Sequence, residues 1–502
     1  MQNNVDYTGT ADADAVTTGI KAAYDAIDYD CTSYPQSHPD RLRTVAQMFG
    51  VDAPPVATAR VLEIGCGDGS NLIPVADAFP QATFVGCDLA PRAIDAGNAL
   101  IARAGLGNIE LRAQDLRELP ASLGHFDYVI AHGFYSWVPP GVRDALMTLL
   151  TSRLTPNGVG FVSYNTHPGN RVRQIVSEAM RWHTRDSAGA ADKLRASREL
   201  LQMMAIPGVT QWRPDAALRA EFADRAGRPD SALFHDDLAE PNDAVYFHEF
   251  IAHAASYALD YLGDSDVRTM GGGGLAPEVR DFTLRFGRLE REQYLDFMRL
   301  RRFRQSLLTR AKSSSAFNVV PSQTLNMQIG AASTLMQSMD EAANQGKARE
   351  SVLQGAGAAV NAMLLWLASI FPSTVSAADI VAWRARNTPN DNRPLETILT
   401  GAYVGGVVDF FSQAPAVVAS VSAKPRASRI ARLQAQARPR VTNLRHESVN
   451  LADPYAHRLL PLLDGSRDQE ALFKALGPEF DRGREGVGAM LQFFAKVSLL
   501  VA

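Results

Sequence analysis

Between Arg60 and Gly69 the chain reads Arg-Val-Leu-Glu-Ile-Gly-Cys-Gly-Asp-Gly, an apolar run holding one acid and then three glycines at alternate positions. Val61, Leu62 and Ile64 suit a strand buried on both faces, the usual state of a parallel sheet. Gly65, Gly67 and Gly69 permit a tight turn and let the backbone approach a ligand that any Cβ would hold off. The spacing lacks the full G-x-G-x-x-G of dinucleotide sites, so the residues downstream must carry the argument. A second strand-like segment, Thr83 to Asp88, ends in an acid about 20 residues beyond the loop, where an open α/β sheet sets a carboxylate against ribose hydroxyls. A third, Ile109 to Ala113, leads into Gln114-Asp115-Leu116, where a carboxylate can accept from an exocyclic adenine amine. A fourth, Phe126 to Ala131, opens onto His132-Gly133-Phe134-Tyr135, and a fifth, Val159 to Tyr164, follows the turn Thr155-Pro156-Asn157-Gly158. Strands alternating with helical patterns predict an open α/β sheet, and all the candidate ligand residues fall at its carboxyl edge, where such sheets bind ligands. The pattern points to a nucleoside.

These residues resemble the class I methyltransferase fold, whose acid and three alternating glycines match Glu63, Gly65, Gly67 and Gly69. Further stretches extend the resemblance: Tyr24-Asp25, Tyr29, Tyr34 to Leu42, His132 to Pro139, Ser163 to Gly169, Tyr246 to Phe250 and Arg301 to Gln305. They look like the bacterial methyltransferases that carry a methyltransferase regulatory domain, a group that includes the protein lysine methyltransferases of rickettsial outer-membrane proteins. The resemblance implies a Rossmann-like sheet, S-adenosylmethionine as cofactor, S-adenosylhomocysteine as product and a protein substrate. It assigns the backbone of Gly65, Cys66 and Gly67 to the methionine portion and Asn71 to its carboxylate or ammonium. Asp88 with Leu89 falls to the ribose, and Asp115 with Leu116 to adenine. Glu63 either organises the loop or reaches the ammonium through water, and Tyr29, with Tyr34, lies in a segment that can cover the cofactor.

A lysine acceptor must first lose a proton, which at pH 7 and a reference pKa near 10.4 costs about 4.6 kcal/mol. Burial among aromatic rings lowers an amine's pKa, whereas a neighbouring carboxylate raises it. Tyr135 and Trp137 after the fourth strand, and Tyr164 with Asn165 at the end of the fifth, supply the aromatic option, and their faces can attract a sulfonium. His132 titrates near neutrality when unperturbed and is a candidate base, or else it merely holds its loop; His38 poses the same choice. Asn165 is not followed by the Pro-Pro-aromatic of amino methyltransferases acting on nucleic-acid bases or glutamine. Besides protein methylation, a small-molecule methyltransferase and a cofactor-sensing protein without turnover remain open.

At 502 residues the chain suggests roughly three units, each with its own core. The expected division is an N-terminal cofactor-covering segment at 1–45 and a class I domain at 46–312, with a helical insertion near 186–245 that is irregular from Pro229 to Asn242. A helical or winged-helix-like middle unit at 313–423, a basic linker at 424–446 and a small winged-helix-like unit at 447–502 complete it. Strands six and seven are expected at Ala258–Tyr261 and Phe303–Leu308. Fifty basic residues against 54 acidic leave a net charge of −4, without the basic footprint of a nucleic-acid binder. Lys424 to Arg445 holds seven Lys or Arg residues and no acid, and reads as a solvated linker or a docking strip for the acidic catalytic unit. Cys31, Cys66 and Cys87 form no C-x-x-C pair, which speaks against a disulfide framework or a zinc site and for a reducing cytoplasm. No signal peptide is apparent, and the apolar stretch Ala356 to Phe371 is too short for a membrane span and reads as a packed helix. Gly271 to Gly274 is expected to be a flexible turn. The insertion makes a homodimer plausible, though no heptad demonstrates one.

Overall fold

The computed structural model describes residue 27 and residues 30–206, 216–271, 275–310, 319–353, 355 and 357–501. Tyr24, Asp25, Tyr29, Gly272 to Gly274 and the expected boundary at 312–315 lie outside them.

Seven strands form the central sheet: β1 (Arg60–Ile64), β2 (Thr83–Asp88), β3 (Ile109–Ala113), β4 (Phe126–Ala131), β5 (Leu154–Asn165), β6 (Leu259–Asp264) and β7 (Phe303–Arg310). Their order is β3-β2-β1-β4-β5-β7-β6. The first five run parallel, and β7 is antiparallel to both β5 and β6. The expected turn at Thr155–Gly158 is instead drawn into β5, because Leu154 pairs with Phe126 and the Thr155 hydroxyl bonds Asp127 at 3.0 Å. Side chains alternate across the sheet. Val61, Phe84, Tyr128, Phe161 and Leu307 enter one core with the helices Pro39–Met48, Ile73–Ala78 and Pro91–Ala104. Leu62, Val85, Val129, Val162 and Leu308 enter the other, with the helices Pro140–Arg153 and Phe247–Ser256.

The middle unit does not have a core of its own. Ile329, Leu335, Met363, Leu367 and Leu399 continue the first core, so that this unit packs on the sheet domain as one body. It holds β8 (Gln328–Ala331), β9 (Val375–Ser376) and β10 (Val408–Phe411), in the order β10-β8-β9, with four helices around them. The expected packed helix is among them, at Ala358–Ser369, and no helix among the described residues is long and apolar enough to cross a membrane.

The insertion shares a separate small core with the helix Asn170–His183 before it: Val176 and Met180 of that helix meet Leu194, Leu201, Phe222 and Leu233. Its expected irregular stretch folds in part: Asp230–Leu233 is helical and runs into a π turn at Phe234–Leu238, held there by Arg173 and Arg225 on Asp237. The basic stretch is no solvated linker. It contains the helix Arg429–Gln434 and β11 (Arg440–Thr442), which pairs with β12 (Ser448–Asn450). Ile430, Ala431 and Val441 are buried, while Arg429, Arg438 and Arg440 pair with Asp77, Asp68 and Asp30 of the preceding units. Three further helices, Pro454–Leu459, Gln469–Leu476 and Gly483–Lys496, close a separate last core, and Leu500 returns to bridge Ala427.

Candidate functional site

The carboxyl ends of β1, β2, β4 and β5 open on one cavity of about 720 Å³. Its floor is the glycine turn. The Gly67 amide donates to Asp88 Oδ2 at 2.9 Å and the Ala90 amide to Oδ1 at 2.9 Å, so a single carboxylate ties the turn to the end of β2. Gly67 has φ +54°, and a Cβ there would lie 2.6 Å from Cys31 Sγ. No other residue fits without displacing Cys31. Burial raises the Asp88 pKa, and the amides of Ala90, Gly67 and Leu89 work against that rise.

Glu63 is buried beneath the turn. Its Oε1 accepts from Asn71 Nδ2 at 2.7 Å, while Oε2, also buried, meets no donor among the described residues. Burial pushes the Glu63 pKa up to about 8, against the Asn71 hydrogen bond. Asn71 Oδ1 in turn accepts from the Tyr34 amide at 2.9 Å and from His446 Nε2 at 2.8 Å. Both Glu63 and Asn71 line the cavity.

A smaller recess of about 90 Å³ adjoins it, lined by Leu89, Asp115, Leu116, Phe134, Trp137 and Val142 among others. Asp115 reaches this recess with its carboxylate already forked onto Arg117, through Nε at 3.1 Å and Nη2 at 2.8 Å. Burial would raise its pKa, but the Arg117 bonds outweigh it and hold the group below its ordinary value. Trp137 lines both compartments.

The catalytic candidates separate by face. His132 lines the cavity, its ring 3.8 Å from that of Tyr34 and its Nδ1 3.2 Å from the Ser163 hydroxyl. Burial lowers its pKa to about 4, so it is neutral at pH 7 and a weak acceptor for an ammonium proton, which fits the loop-holding role better than the base. Asn165 also lines the cavity, with Nδ2 donating to Asn242 Oδ1 at 2.7 Å. Tyr135 and Tyr164 do not reach it. Tyr135 lies in the 3₁₀ turn Tyr135–Trp137, in which each residue turns about 120° from the last, so Tyr135 and Trp137 point in different directions. The Tyr135 hydroxyl bonds His253 Nδ1 at 2.9 Å, and its ring meets Phe250 edge-on. Tyr164 stacks on the same Phe250 with ring centres 4.0 Å apart, since strand alternation sends Ser163 and Asn165 to one face and Tyr164 to the other. Tyr29 lies outside the described residues.

The roof comes from the insertion and from the helix Asn170–His183 before it. Arg173, Asp224, Arg225, Arg228, His235 and Asp236 face the cavity from above, with Arg302 and Phe303 at the start of β7. Fully buried Asp237 receives Arg173 Nε at 3.0 Å and Arg225 Nε at 3.1 Å. Glu221 bridges Arg225 and Arg302, and Asp224 pairs with Arg225 and Arg228. Of these only Arg302 and Phe303 fell in a stretch the sequence singled out, Arg301 to Gln305; for those of the insertion the only signal was its place at the carboxyl edge of the sheet, and for Arg173 there was none. His446 was missed for want of any local pattern.

Three family models match the chain: a methyltransferase domain over residues 61–158, a predicted methyltransferase regulatory domain over 229–310, and the C-terminal winged helix domain of PKMT over 423–489. The last of these takes in the basic stretch. The uncharacterized protein RP789 of Rickettsia prowazekii is 32% identical over 488 residues, covering 92% of this chain and 86% of its own. Trans-aconitate 2-methyltransferase of Deinococcus radiodurans is 34% identical over 228 residues, 38% of this chain and 83% of that protein. The structure of PKMT2 from Rickettsia typhi superposes with a TM-score of 0.80 at 25% identity, over 94% of this chain and 100% of that one, and PKMT2 has also been solved in complex with AdoHcy.

Proposed function

Since the chain belongs to the family of S-adenosylmethionine-dependent methyltransferases that join a class I domain to a methyltransferase regulatory domain and a PKMT winged helix, we propose that it methylates lysine side chains of a protein by direct in-line displacement. The observation that most supports a protein acceptor is the extent of the likeness to PKMT2, which takes in the auxiliary units as well as the sheet.

The residues present suit the cofactor. A cavity of about 720 Å³ falls within the usual range of ligand sites, roughly 300–1,000 Å³. The glycine turn gives close backbone approach, and the orphaned Glu63 Oε2 is what an α-ammonium requires. Asp88 then receives the ribose hydroxyls while keeping its loop amides, and Leu89, Asp115 and Leu116 wall the adenine in the smaller recess. Gly65, Cys66 and Gly67 carry the methionine portion, with Glu63 and Asn71 at its charged end. S-adenosylmethionine, when bound, would supply an electrophilic methyl on a sulfonium: the N–C bond to the amine lone pair forms in line as the C–S bond breaks, with S-adenosylhomocysteine as the leaving group.

For the acceptor, Asn165 is the central residue. Asn242 Nδ2 donates to the Asp236 carbonyl at 2.7 Å, which makes Asn242 Oδ1 the acceptor and fixes Asn165 Nδ2 upon it. Asn165 Oδ1 is left to accept an N–H of the attacking amine and to set the direction of its lone pair. A neutral acceptor does this without strengthening the ammonium, as a carboxylate would. Trp137 and Tyr34 supply apolar cover that disfavours the charged amine. Tyr135 has no place in this chemistry.

A small-molecule acceptor has one point in its favour, the likeness of the sheet domain to trans-aconitate 2-methyltransferase, together with the arginines of the roof. Incubation with methyl-labelled S-adenosylmethionine and size-fractionated cell extract separates the two. Label retained on protein, mapped to lysine and lost in Asp88→Ala, is the expected result; label confined to small molecules overturns the lysine reading.

A further inference from the structure

We propose that the winged-helix unit completes the cofactor site through His446, a positioning residue that acts through Asn71 on Glu63. The inference rests on the reading of Glu63 as the group that meets the cofactor's ammonium.

His446 lies in the turn between β11 and β12, far from the sheet in sequence yet 5% exposed in the fold. The turn is rigidly mounted. Asn443 Oδ1 accepts from the amides of Arg445 and Glu447 at 2.9 and 2.8 Å. Arg445 is clamped on the middle unit by the Ala331 carbonyl at 3.2 Å and Asp409 at 2.8 Å. On the other side Arg438 donates to the Cys31 carbonyl at 3.0 Å and to the Ser70 hydroxyl at 2.7 Å, beside the glycine turn itself. Between these anchors His446 adopts φ +64°, a conformation that costs a residue with a Cβ and persists only where surroundings enforce it.

The polarity of the contact follows from its partners. Asn71 Oδ1 also accepts from the Tyr34 amide, so it is the oxygen, and His446 Nε2 carries the proton. With Oδ1 held by two donors, Nδ2 is left for Ser37 Oγ at 3.0 Å and for Glu63 Oε1 at 2.7 Å. Glu63 Oε1 is thereby occupied and the orphaned Oε2 becomes the atom offered to a cation. Burial beside His38, with ring centres 4.9 Å apart, keeps His446 uncharged, so it orients the Glu63 carboxyl group without bringing a positive charge to it. Arg438 and His446 thus bring one unit onto the loop and onto the acid of another.

The test uses the full-length protein, calorimetric titration and two probes: S-adenosylhomocysteine, and 5′-methylthioadenosine, which lacks the amino-acid end. His446→Phe keeps a ring against His38 and removes the donor; His446→Gln supplies an N–H again; Glu63→Gln is the control. His446→Phe is expected to weaken S-adenosylhomocysteine about tenfold, the order of one hydrogen bond serving a charged group, and to leave 5′-methylthioadenosine within about twofold. His446→Gln is expected to regain most of the loss. Unchanged affinity for S-adenosylhomocysteine in His446→Phe, or an equal loss for both probes, overturns the proposal. If Glu63→Gln shows the selective loss and His446→Phe does not, only the role of His446 fails; if neither does, the reading of Glu63 fails with it.

Discussion

The floor and the roof of the cavity both hold charge out of bulk water, and they do it by opposite means. On the floor, Asp88 is satisfied by the backbone amides of Gly67 and Ala90, and Glu63 is held at Oε1 alone, by the side-chain amide of Asn71. Among the described residues neither acid forms an ion pair. In the roof, buried Asp237 and Glu221 are each matched to at least two arginines. Amide dipoles fix a carboxyl group's position without setting a counter-charge beside it, whereas an arginine cancels its charge. The floor is therefore arranged to receive a cation from the ligand, and the roof to hold its own shape.

The comparison can be broken most directly at Asp88. Asp88→Ala removes the acceptor of two loop amides and of the ribose, and is expected to weaken S-adenosylhomocysteine by about 100-fold or more in calorimetric titration, from roughly 3 kcal/mol of lost charge-assisted bonding. A loss of less than about fivefold would show that the floor holds without its carboxylate. At the roof, Asp237→Asn leaves Arg173 and Arg225 short of their shared counter-charge, a change worth roughly 3 kcal/mol locally. Acceptor kcat/KM should fall about 30-fold while S-adenosylhomocysteine affinity stays within about threefold. A parallel fall in both would mean that floor and roof are not separate.

Acid sharpens the contrast, because the floor depends on groups that titrate. Glu63, with its pKa raised to about 8, holds a proton that an arriving ammonium must expel, so affinity should fall as pH drops below 8. His38 and His132, lowered to about 4, and His446, also lowered, bind protons less readily folded than unfolded. Their contribution to stability is whole above pH 6.5 and is lost as pH falls toward 4. Both effects have the same sign. Titration of S-adenosylhomocysteine at pH 8.0, 7.0 and 5.5 should show a monotonic loss of roughly tenfold or more, and constant or rising affinity on acidification would contradict it. The smallest effect belongs to Tyr135→Phe. It loses one hydrogen bond to His253, about 1 kcal/mol of stability, and should leave kcat within about twofold. A tenfold drop in kcat would return Tyr135 to the chemistry.

What could be read along the chain were the features that local spacing determines. Each floor residue ends or follows a strand whose apolar pattern marks it, so Glu63, Gly67, Asp88 and Asp115 could be placed without a structure. The face a residue takes after its strand depends on one turn. The 3₁₀ geometry at Tyr135–Trp137 put Trp137 into the cavity and Tyr135 into the core, and nothing in the residue types distinguishes them. The roof rests on pairs such as Arg173 with Asp237, 64 residues apart, which carry no periodicity. The basic stretch left two readings open for the same reason: whether its arginines are solvated or docked shows only once their acids, such as Asp77, lie opposite them, and it is the docking reading that the ion pairs match.

The contact between Asn71 and His446 joins residues 375 positions apart. On a ribosome adding about 5–20 residues per second, the glycine turn is finished about 20–75 s before its distant partner emerges. A nascent or prematurely terminated chain thus presents this pocket with one wall missing, and a module translated long after the sheet is the one that closes it.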